Sequence, residues 1–249
     1  KQLDKQTALL EGEIASTRGK IAQLSARQQE LVSAKLSSIP VPRSADTTLA
    51  GCQSDIDVSP GFDNRFAFFS FGVPNKTGLN QYGAYGRSKA GQSYEDILRA
   101  YYNYDNLKDY STDTKIKVDG HGEHSLEDYA KRIYEMPEDW GNNGGFEALK
   151  AQAVAARSYA LAYTNNGAGS ICDSQNCQVF KDQEKGGKWN EAVDATRGKV
   201  MVQGDQPIKA WFSSTHGGVI LSSAEIGWYG TSWTKHGIDT SSGSAGSAS

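Results

Sequence analysis

The sequence is poor in the features that mark nucleic-acid-binding and membrane-spanning proteins. Its 26 lysines and arginines face 29 aspartates and glutamates, so the net charge is −3 and no basic surplus is available for a phosphate backbone. No run of about 18 apolar residues occurs, which predicts that nothing here spans a membrane. No signal-peptide pattern occurs either, and a leader or anchor could precede Lys1. We therefore predict no nucleic-acid partner.

Cysteine and histidine are also scarce. Cys172 and Cys177 lie close enough for a short disulfide loop, which needs an oxidising compartment. Zinc is the rival ligand for two thiolates, but it needs four ligands, and no histidine lies within a few residues of either cysteine. Free thiols are the third alternative, and Cys52 is then an odd thiol in a linker. We favour the disulfide and predict no metal site and no cofactor.

Residues 1–36 carry a heptad pattern without proline. Apolar residues dominate its two core positions, which are Leu3, Leu10, Thr17, Leu24 and Leu31, and then Thr7, Ile14, Ile21 and Gln28. This spacing predicts a coiled coil, either a homodimer or a pairing with a partner helix. A helix that folds back on its own domain is the alternative. Residues 37–64, with Pro40, Pro42 and Pro60, indicate a linker.

The remaining sequence predicts one mixed globular domain of the α+β class over residues 65–240, followed by a disordered polar tail at 241–249. Ser93 and Ser125 are predicted helix caps, and the second helix should end by Met136 because Pro137 follows. Further elements are predicted without regular strand-helix alternation. They are a strand at 66–71, a strand at Lys115–Val118, an alanine-rich helix at Phe146–Tyr163, a short helix at 189–196, and strands at 178–180, Lys199–Gln203, 209–213 and 218–221.

The stretch Glu135-Met136-Pro137 places a carboxyl group where a helix must stop. The next helix is so rich in alanine that another element can pack closely against it. A carboxyl group at the mouth of such a cleft suits a general acid, provided that burial or the negative end of the helix dipole raises its pKa. Most glutamates at helix ends are solvated, so this feature alone is a weak signal.

Other segments accompany this stretch, namely GLNQYGA at 78–84, AQAVAARSY at 151–159, CQVF at 177–180, ATRGKV at 195–200 and WFSSTHGG at 211–218. Together they resemble the stage II sporulation protein D family, also called the LytB or amidase-enhancer family, over roughly residues 65–230. The 78–84 segment usually lies near the C-terminus in that family, so the motif order here is circularly permuted. Asn75 stands where the family usually has a histidine, and asparagine forms hydrogen bonds but does not titrate.

The resemblance implies cleavage of peptidoglycan glycan strands by a lytic transglycosylase, with Glu135 as the single acid/base. Some relatives are described as enhancers of cell-wall amidases. A noncatalytic wall-binding module that recruits or stimulates an amidase is therefore the alternative, and a coiled-coil scaffold with a degenerate enzyme domain is a third. The implied partners are peptidoglycan glycan strands and a cell-wall amidase, and the implied location is extracytoplasmic, in the cell envelope or secreted.

Six further residues are candidates for substrate contact: Arg157, Gln81, Tyr82, Asn75, Ser213 and Ser214. A surface or structural salt bridge is the alternative for Arg157, and loop packing is the alternative for Gln81 and Tyr82. A serine nucleophile is disfavoured because no Gly-x-Ser-x-Gly elbow occurs. His121 and His124 form a weak metal candidate, for which a polar turn is the default interpretation.

Overall fold

A computed structural model of the chain describes residues 75–239 together with the single helical position Ile14. The chain divides into two units, Lys1–Ser44 and Ala45–Ser249, and residues 75–239 all belong to the second. Apart from Ile14, the predicted coiled coil at 1–36 lies outside the described residues. The linker at 37–64, the strand at 66–71 and the tail at 241–249 also lie outside them. These four assignments remain predictions.

Helices and strands are mixed along residues 75–239, which confirms the α+β class. The helices are α1 (Gln81–Lys89), α2 (Tyr94–Tyr101), α3 (Leu126–Lys131), α4 (Phe146–Tyr163) and α5 (Gly187–Ala195), with a 3-10 helix at Glu138–Asn143. The strands are β1 (Leu79–Asn80), β2 (Asn106–Asp109), β3 (Lys115–Val118), β4 (Gly122–Ser125), β5 (Ser170–Ile171), β6 (Lys199–Gln203), β7 (Gln206–Pro207), β8 (Phe212–Ser213), β9 (Val219–Ile220) and β10 (Gly237–Ile238). No helix among the described residues is long and apolar enough to cross a membrane.

The strands of the described region form four small sheets. Strands β2, β6 and β7 are antiparallel, and β3 lies between β4 and β5, antiparallel to the first and parallel to the second. Strands β9 and β10 form an antiparallel pair. Strands β1 and β8 pair in parallel, with Leu79 opposite Phe212 and Asn80 opposite Ser213. This last pairing brings together two segments that are far apart in the sequence.

Gly78 allows β1 to lie close to β8. Its φ is +73°, and a Cβ at this position would lie 1.8 Å from the carbonyl oxygen of Trp211. The hydroxyl of Tyr102 bridges the two strands, since it donates to that carbonyl at 2.5 Å and accepts the N–H of Leu79 at 3.1 Å. Any larger residue at position 78 would separate the strands or strain the backbone.

Helix α4 lies at the centre of the core, in contact with α1, α2, α5 and β6. Six of its alanines are fully buried, and their small side chains let these neighbours approach its backbone: Ala148, Ala151, Ala153, Ala155, Ala156 and Ala160. The Ser158 hydroxyl donates to the carbonyl of Val154 at 2.7 Å and accepts the N–H of Met201 at 2.9 Å, which joins α4 to β6. The predicted bounds of this helix are confirmed.

The predicted helix starts are confirmed as well. Ser93 and Asp96 form a capping box, in which each side chain accepts the backbone N–H of the other residue. Ser125 accepts the N–H of Asp128 at 3.2 Å. Each cap satisfies N–H groups that the first helical turn leaves without a partner, so both starts could be predicted locally.

The end of α3 differs from the prediction. The helix stops at Lys131 instead of continuing to the residue before Pro137. Ile133 leaves the helix and forms a β-bridge with Phe180, so backbone pairing with a distant segment replaces the last helical turn. Glu135 therefore lies in a bend outside any helix, and the expected influence of a helix dipole on its pKa is wrong.

Several predicted strands are shorter than expected. Residues 178–180 contribute only the bridge at Phe180, while 209–213 and 218–221 shrink to β8 and β9. The N–H of Trp211 bonds to the carbonyl of Lys209 at 2.9 Å, a turn that prevents β8 from starting earlier. The strands at Lys115–Val118 and Lys199–Gln203 are confirmed.

Candidate active site

A cleft of about 520 Å³ opens where β8, the disulfide loop and the stretch after α3 meet. Its lining mixes amide, hydroxyl and aromatic groups around one carboxyl group. The lining residues are Asn75, Gln81, Tyr134, Glu135, Tyr159, Gln175, Asn176, Cys177, Val179, Trp211, Phe212, Ser213, Ser214 and Trp228. Five of the seven residues predicted for catalysis or substrate contact therefore lie together, namely Glu135, Gln81, Asn75, Ser213 and Ser214.

Glu135 is the carboxyl group of the cleft. Its Oε1 accepts the backbone N–H of Val179 at 2.7 Å, and its carboxyl group is also hydrogen-bonded to the side chain of Gln81. Burial raises its pKa above the ordinary value, although these two hydrogen bonds and the charge of Lys185 oppose the rise. A glutamate in this state holds its proton to a higher pH than a solvated one, which suits a general acid.

Lys185 is the cation that acts on Glu135. Its ammonium donates to the carbonyl of Met136 and lies 5.4 Å from the ring centroid of Tyr134 and 5.3 Å from that of Trp189. Burial lowers the pKa of Lys185 to about 8, even though Glu135 favours its charged form. The two residues thus respond to each other when either one titrates.

The disulfide loop forms one wall of the cleft. Cys172 and Cys177 are joined by a disulfide, as favoured from the sequence. The loop between them supplies Gln175 and Asn176 to the lining. Val179, the residue that donates to Glu135, follows the second cysteine by two positions. The loop therefore places amide side chains and a backbone donor around the acid.

The opposite wall depends on the pairing of β1 with β8. The hydroxyl of Ser213 donates to the carbonyl of Asn75 at 2.7 Å, and the Asn75 side-chain oxygen accepts the N–H of Thr77 at 2.9 Å. Gln81 is the first residue of α1, directly after β1, and it is buried beside Glu135. These contacts fix amide and hydroxyl groups across the cleft from the disulfide loop.

Aromatic rings complete the lining, and sequence reasoning missed them as site residues. Tyr134, Tyr159, Trp211 and Trp228 line the cleft. Tyr159 and Trp211 belong to motifs that the sequence already singles out, so those motifs were the available signal. Trp228 has no such signal, because it enters the site through a turn outside the motifs.

Arg157 lies outside the cleft and is fully buried, which corrects the prediction that it contacts substrate. Its side chain has no exposed surface and forms a two-pronged ion pair with Glu127, with Nε to Oε1 at 2.9 Å and Nη2 to Oε2 at 2.6 Å. It also donates to the hydroxyl of Thr196 and the carbonyl of Val193. The structural salt bridge is therefore the correct reading, since a fully buried guanidinium cannot reach a glycan.

Tyr82 also lies outside the cleft lining. The residue is 38% exposed, and its ring centroid lies 5.0 Å from that of Trp140. Its backbone N–H donates to the carbonyl of Ser214 at 3.2 Å. The backbone of Tyr82 thus supports the cleft wall, and its ring belongs to a separate aromatic contact.

The histidines take structural positions. His121 bonds to Asp182 at 2.7 Å and to Asp173 at 3.1 Å, while His124 bonds to the carbonyl of His121. Within residues 75–239 no group of three or more His, Cys, Asp or Glu side chains could hold a metal ion. His216 is fully buried, and neither of its ring nitrogens has a hydrogen-bond partner in the described part of the chain. Among the described residues, the serine hydroxyls of the cleft therefore have no histidine base.

Comparison with known families supports the resemblance seen in the sequence. Residues 112–203 match the family SpoIID, described as stage II sporulation protein. The match covers the central part of the chain. It contains Glu135, the disulfide loop and α4, whereas the 78–84 segment and β8 lie on either side of it.

Three curated relatives are similar to parts of this chain. They are the amidase enhancer of Bacillus subtilis (37% identical over 92 residues, 37% of this chain and 12% of the relative), an uncharacterized protein of Brachyspira hyodysenteriae (36% over 122 residues, 46% and 31%), and stage II sporulation protein D of Bacillus subtilis (37% over 101 residues, 33% and 29%). The chain thus spans less than a third of the length of each relative. No solved structure matches it significantly.

Proposed function

We propose that this domain cleaves the glycan strands of peptidoglycan as a lytic transglycosylase, with Glu135 as the single acid/base. The observation that carries the proposal is that Glu135 is the one carboxyl group among the described residues lining the cleft, and that burial raises its pKa. Ordinary glycoside hydrolysis uses two carboxyl groups that flank the bond. A cleft with one acid fits a reaction in which the sugar supplies its own nucleophile.

In this mechanism protonated Glu135 gives its proton to the glycosidic oxygen as the bond between that oxygen and the anomeric carbon breaks. The resulting carboxylate takes the proton of the 6-hydroxyl of the same sugar, whose oxygen then bonds to the anomeric carbon. Glu135 ends protonated again, and the products are a shortened strand and a 1,6-anhydro sugar. The N–H of Val179 and the Gln81 side chain stabilise the carboxylate between the two steps.

The polar groups around the acid suit an N-acetylated sugar. The amides of Gln175, Asn176 and Asn75 both donate and accept hydrogen bonds, as the hydroxyl and acetamido groups of such a sugar do. Tyr159 and Trp211 add aromatic surface to the lining, which suits the apolar side of the pyranose. The disulfide is consistent with the proposed extracytoplasmic location, where thiols are oxidised.

A second candidate function rests on the name of one relative. One of the two Bacillus subtilis relatives is named an amidase enhancer. In this alternative the chain acts as a wall-binding module that recruits or stimulates an amidase. In that role the cleft binds glycan without breaking it, and the predicted N-terminal coiled coil supplies the contact with a partner helix or a second copy.

Purified sacculi separate the two functions. The full chain, its Glu135→Gln variant and the control Asp139→Asn are each incubated with sacculi, and released muropeptides are analysed by mass spectrometry. Asp139 is an exposed acid four positions from Glu135 and outside the cleft lining.

The transglycosylase proposal expects anhydro-muropeptides from the native chain and the control, with a loss of at least 100-fold in Glu135→Gln. Cleavage that survives in Glu135→Gln overturns the assignment of the acid. Binding without products from any variant favours the module.

A further inference from the structure

A cluster of aromatic rings extends outward from the cleft past its edge. The ring centroids of Trp211 and Trp228 are 5.1 Å apart, and those of Trp211 and Tyr229 are 5.4 Å apart. Trp211 is nearly buried, whereas Trp228 is 37% exposed and Tyr229 is 59% exposed. Trp211 and Trp228 line the cleft but Tyr229 does not. The cluster therefore starts inside the site and continues onto the surface.

The turn that carries the two exposed rings is held in place by its own hydrogen bonds. The N–H of Trp228 donates to the carbonyl of Ser223 at 2.9 Å, and the N–H of Ser223 donates to the hydroxyl of Thr234 at 3.1 Å. Ser222 and Glu225 close the start of the turn through a backbone and a side-chain bond. Rings on a fixed turn lose little conformational entropy when a ligand covers them.

A second group of rings continues the same surface through Lys209. Tyr159, another lining residue, stacks on Tyr163 with 5.7 Å between centroids. The Lys209 ammonium lies 4.7 Å from the centroid of Tyr163 and 5.9 Å from that of Trp211, so it connects both groups of rings. Burial lowers the pKa of Lys209, and across residues 75–239 it forms no ion pair.

Exposed tryptophan and tyrosine side chains that form one patch mark a binding surface. A pyranose ring presents a flat face of C–H groups and an edge of hydroxyl groups, so it can cover an aromatic ring while its polar groups bond to the rim. The cleft lining also carries the amides of Gln175 and Asn176, which belong to the disulfide loop. A long polymer is the ligand that matches a ring surface continuing beyond the cleft.

We propose that Trp211, Trp228 and Tyr229 form an extension of the cleft that stacks on N-acetylated pyranose units of a glycan strand beyond the sugar held at Glu135. The proposal rests on the proposed function, because it takes the glycan strand as the ligand of that cleft. It adds a requirement that the acid alone does not impose, namely that binding strengthens with the length of the strand.

The test measures binding alone, in the Glu135→Gln background, where the strand is not cut. Affinities for linear β-1,4-linked N-acetylglucosamine dimers and hexamers are determined by titration calorimetry with the full chain. We expect the hexamer to bind on the order of 10-fold more tightly than the dimer, from one or two added stacking contacts. Adding Tyr229→Ala should remove most of this gain and leave dimer affinity unchanged, whereas Tyr229→Phe, which keeps the ring, should retain it.

Tyr110→Ala is the matched control, because Tyr110 packs at the β2–β6 sheet and its hydroxyl donates to the carbonyl of Asp205, away from the cleft lining. Thermal melts confirm that each variant is folded. Equal affinity for dimer and hexamer, or a hexamer affinity that Tyr229→Ala leaves unchanged, overturns the extension. A native chain that releases no anhydro-muropeptides overturns the proposed catalysis instead, so the two failures are distinguishable.

Discussion

The backbone N–H of Val179 donates to Oε1 of Glu135 at 2.7 Å, and Val179 lies two residues after the second cysteine of the disulfide. The position of the acid therefore depends on a short cross-linked loop. The loop is further tied by the N–H of Phe180, which donates to the carbonyl of Asp173 at 3.0 Å. The covalent link and the hydrogen bonds hold this wall of the cleft together.

We predict that replacing both loop cysteines, Cys172→Ser with Cys177→Ser, lowers the free energy of unfolding by about 2 kcal/mol, because a short loop is no longer closed in the unfolded chain. Release of anhydro-muropeptides should fall by about 10-fold or more, since the wall that bonds to Glu135 loosens. Urea unfolding and the sacculus assay measure the two effects. Cys52→Ser is the control, and a double-serine variant with full activity would contradict the role given to the loop.

The pH dependence of cleavage should respond to Lys185. In the proposed mechanism cleavage needs protonated Glu135, so activity should be present below the raised pKa of that carboxyl group and be lost as the pH rises through it. Lys185→Met removes a charge that favours the carboxylate, so the pKa of Glu135 rises further. We expect the alkaline limit of activity to move to higher pH.

The effect should be greatest below pH 8, because the pKa of Lys185 is about 8 and the native chain loses this charge above that value. Lys181→Met is the control, since Lys181 lies over the same Tyr134 ring at 4.3 Å and acts on the pKa of Lys185 rather than directly on that of Glu135. Carbon-13 NMR titration of the glutamate carboxyl groups measures the shift directly. A lower pKa of Glu135 in Lys185→Met would contradict the role given to the Lys185 charge.

His216 should make the native state sensitive to acid. Burial lowers its pKa to about 4, below the ordinary value of 6.5, so the unfolded chain binds this proton more readily than the native one. Stability that is present above pH 6.5 is therefore lost as the pH falls from 6.5 to 4, by roughly 3 kcal/mol from this residue. His216→Leu removes the titration and leaves no ring nitrogen buried without a partner.

Unfolding free energies of the two proteins at pH 7 and pH 5 test this. We expect the leucine variant to be at least as stable as the native chain at pH 7 and to lose less stability between the two values. An equal loss of unfolding free energy between pH 7 and pH 5 in the two proteins would show that His216 does not titrate in this range.

Breaking the buried pair of Arg157 and Glu127 should be costly. Arg157→Met leaves a buried carboxylate without its cation, which destabilises a protein by about 3–5 kcal/mol. Arg132→Met is the matched control, because Arg132 pairs with the half-exposed Asp128 at 3.1 Å and should cost less than about 1 kcal/mol. Urea unfolding measures both. An Arg157→Met variant of native stability that no longer binds glycan would restore the substrate-binding reading.

The elements that could be predicted from the sequence are those set by local chemistry. The caps at Ser93 and Ser125 satisfy nearby N–H groups, and the alanine-rich run of α4 has a high helix propensity over its whole length. The carboxyl group of the site could be predicted as well, because a family motif contains it.

The missed features depend on partners far away in the sequence. Glu135 lies in a bend outside α3 because residues 179 and 180, which follow α4 in the sequence, bond to residues 133–135. The role of Arg157 depends on Glu127, which lies 30 positions earlier and outside any helical spacing. Trp228 reaches the cleft only through a turn that Thr234 supports. Periodicity and local propensity carry no information on such contacts.

The pairing of β1 with β8 sets an order of events during synthesis of the chain. Glu135 leaves the ribosome well before Phe212 and Ser213, the residues that β1 needs as its partner. Until then Gln81 and Asn75 have no strand to hold them opposite the disulfide loop. The nascent chain therefore carries the acid before it has a cleft, and any glycan-cleaving activity becomes available only when nearly the whole described region has emerged.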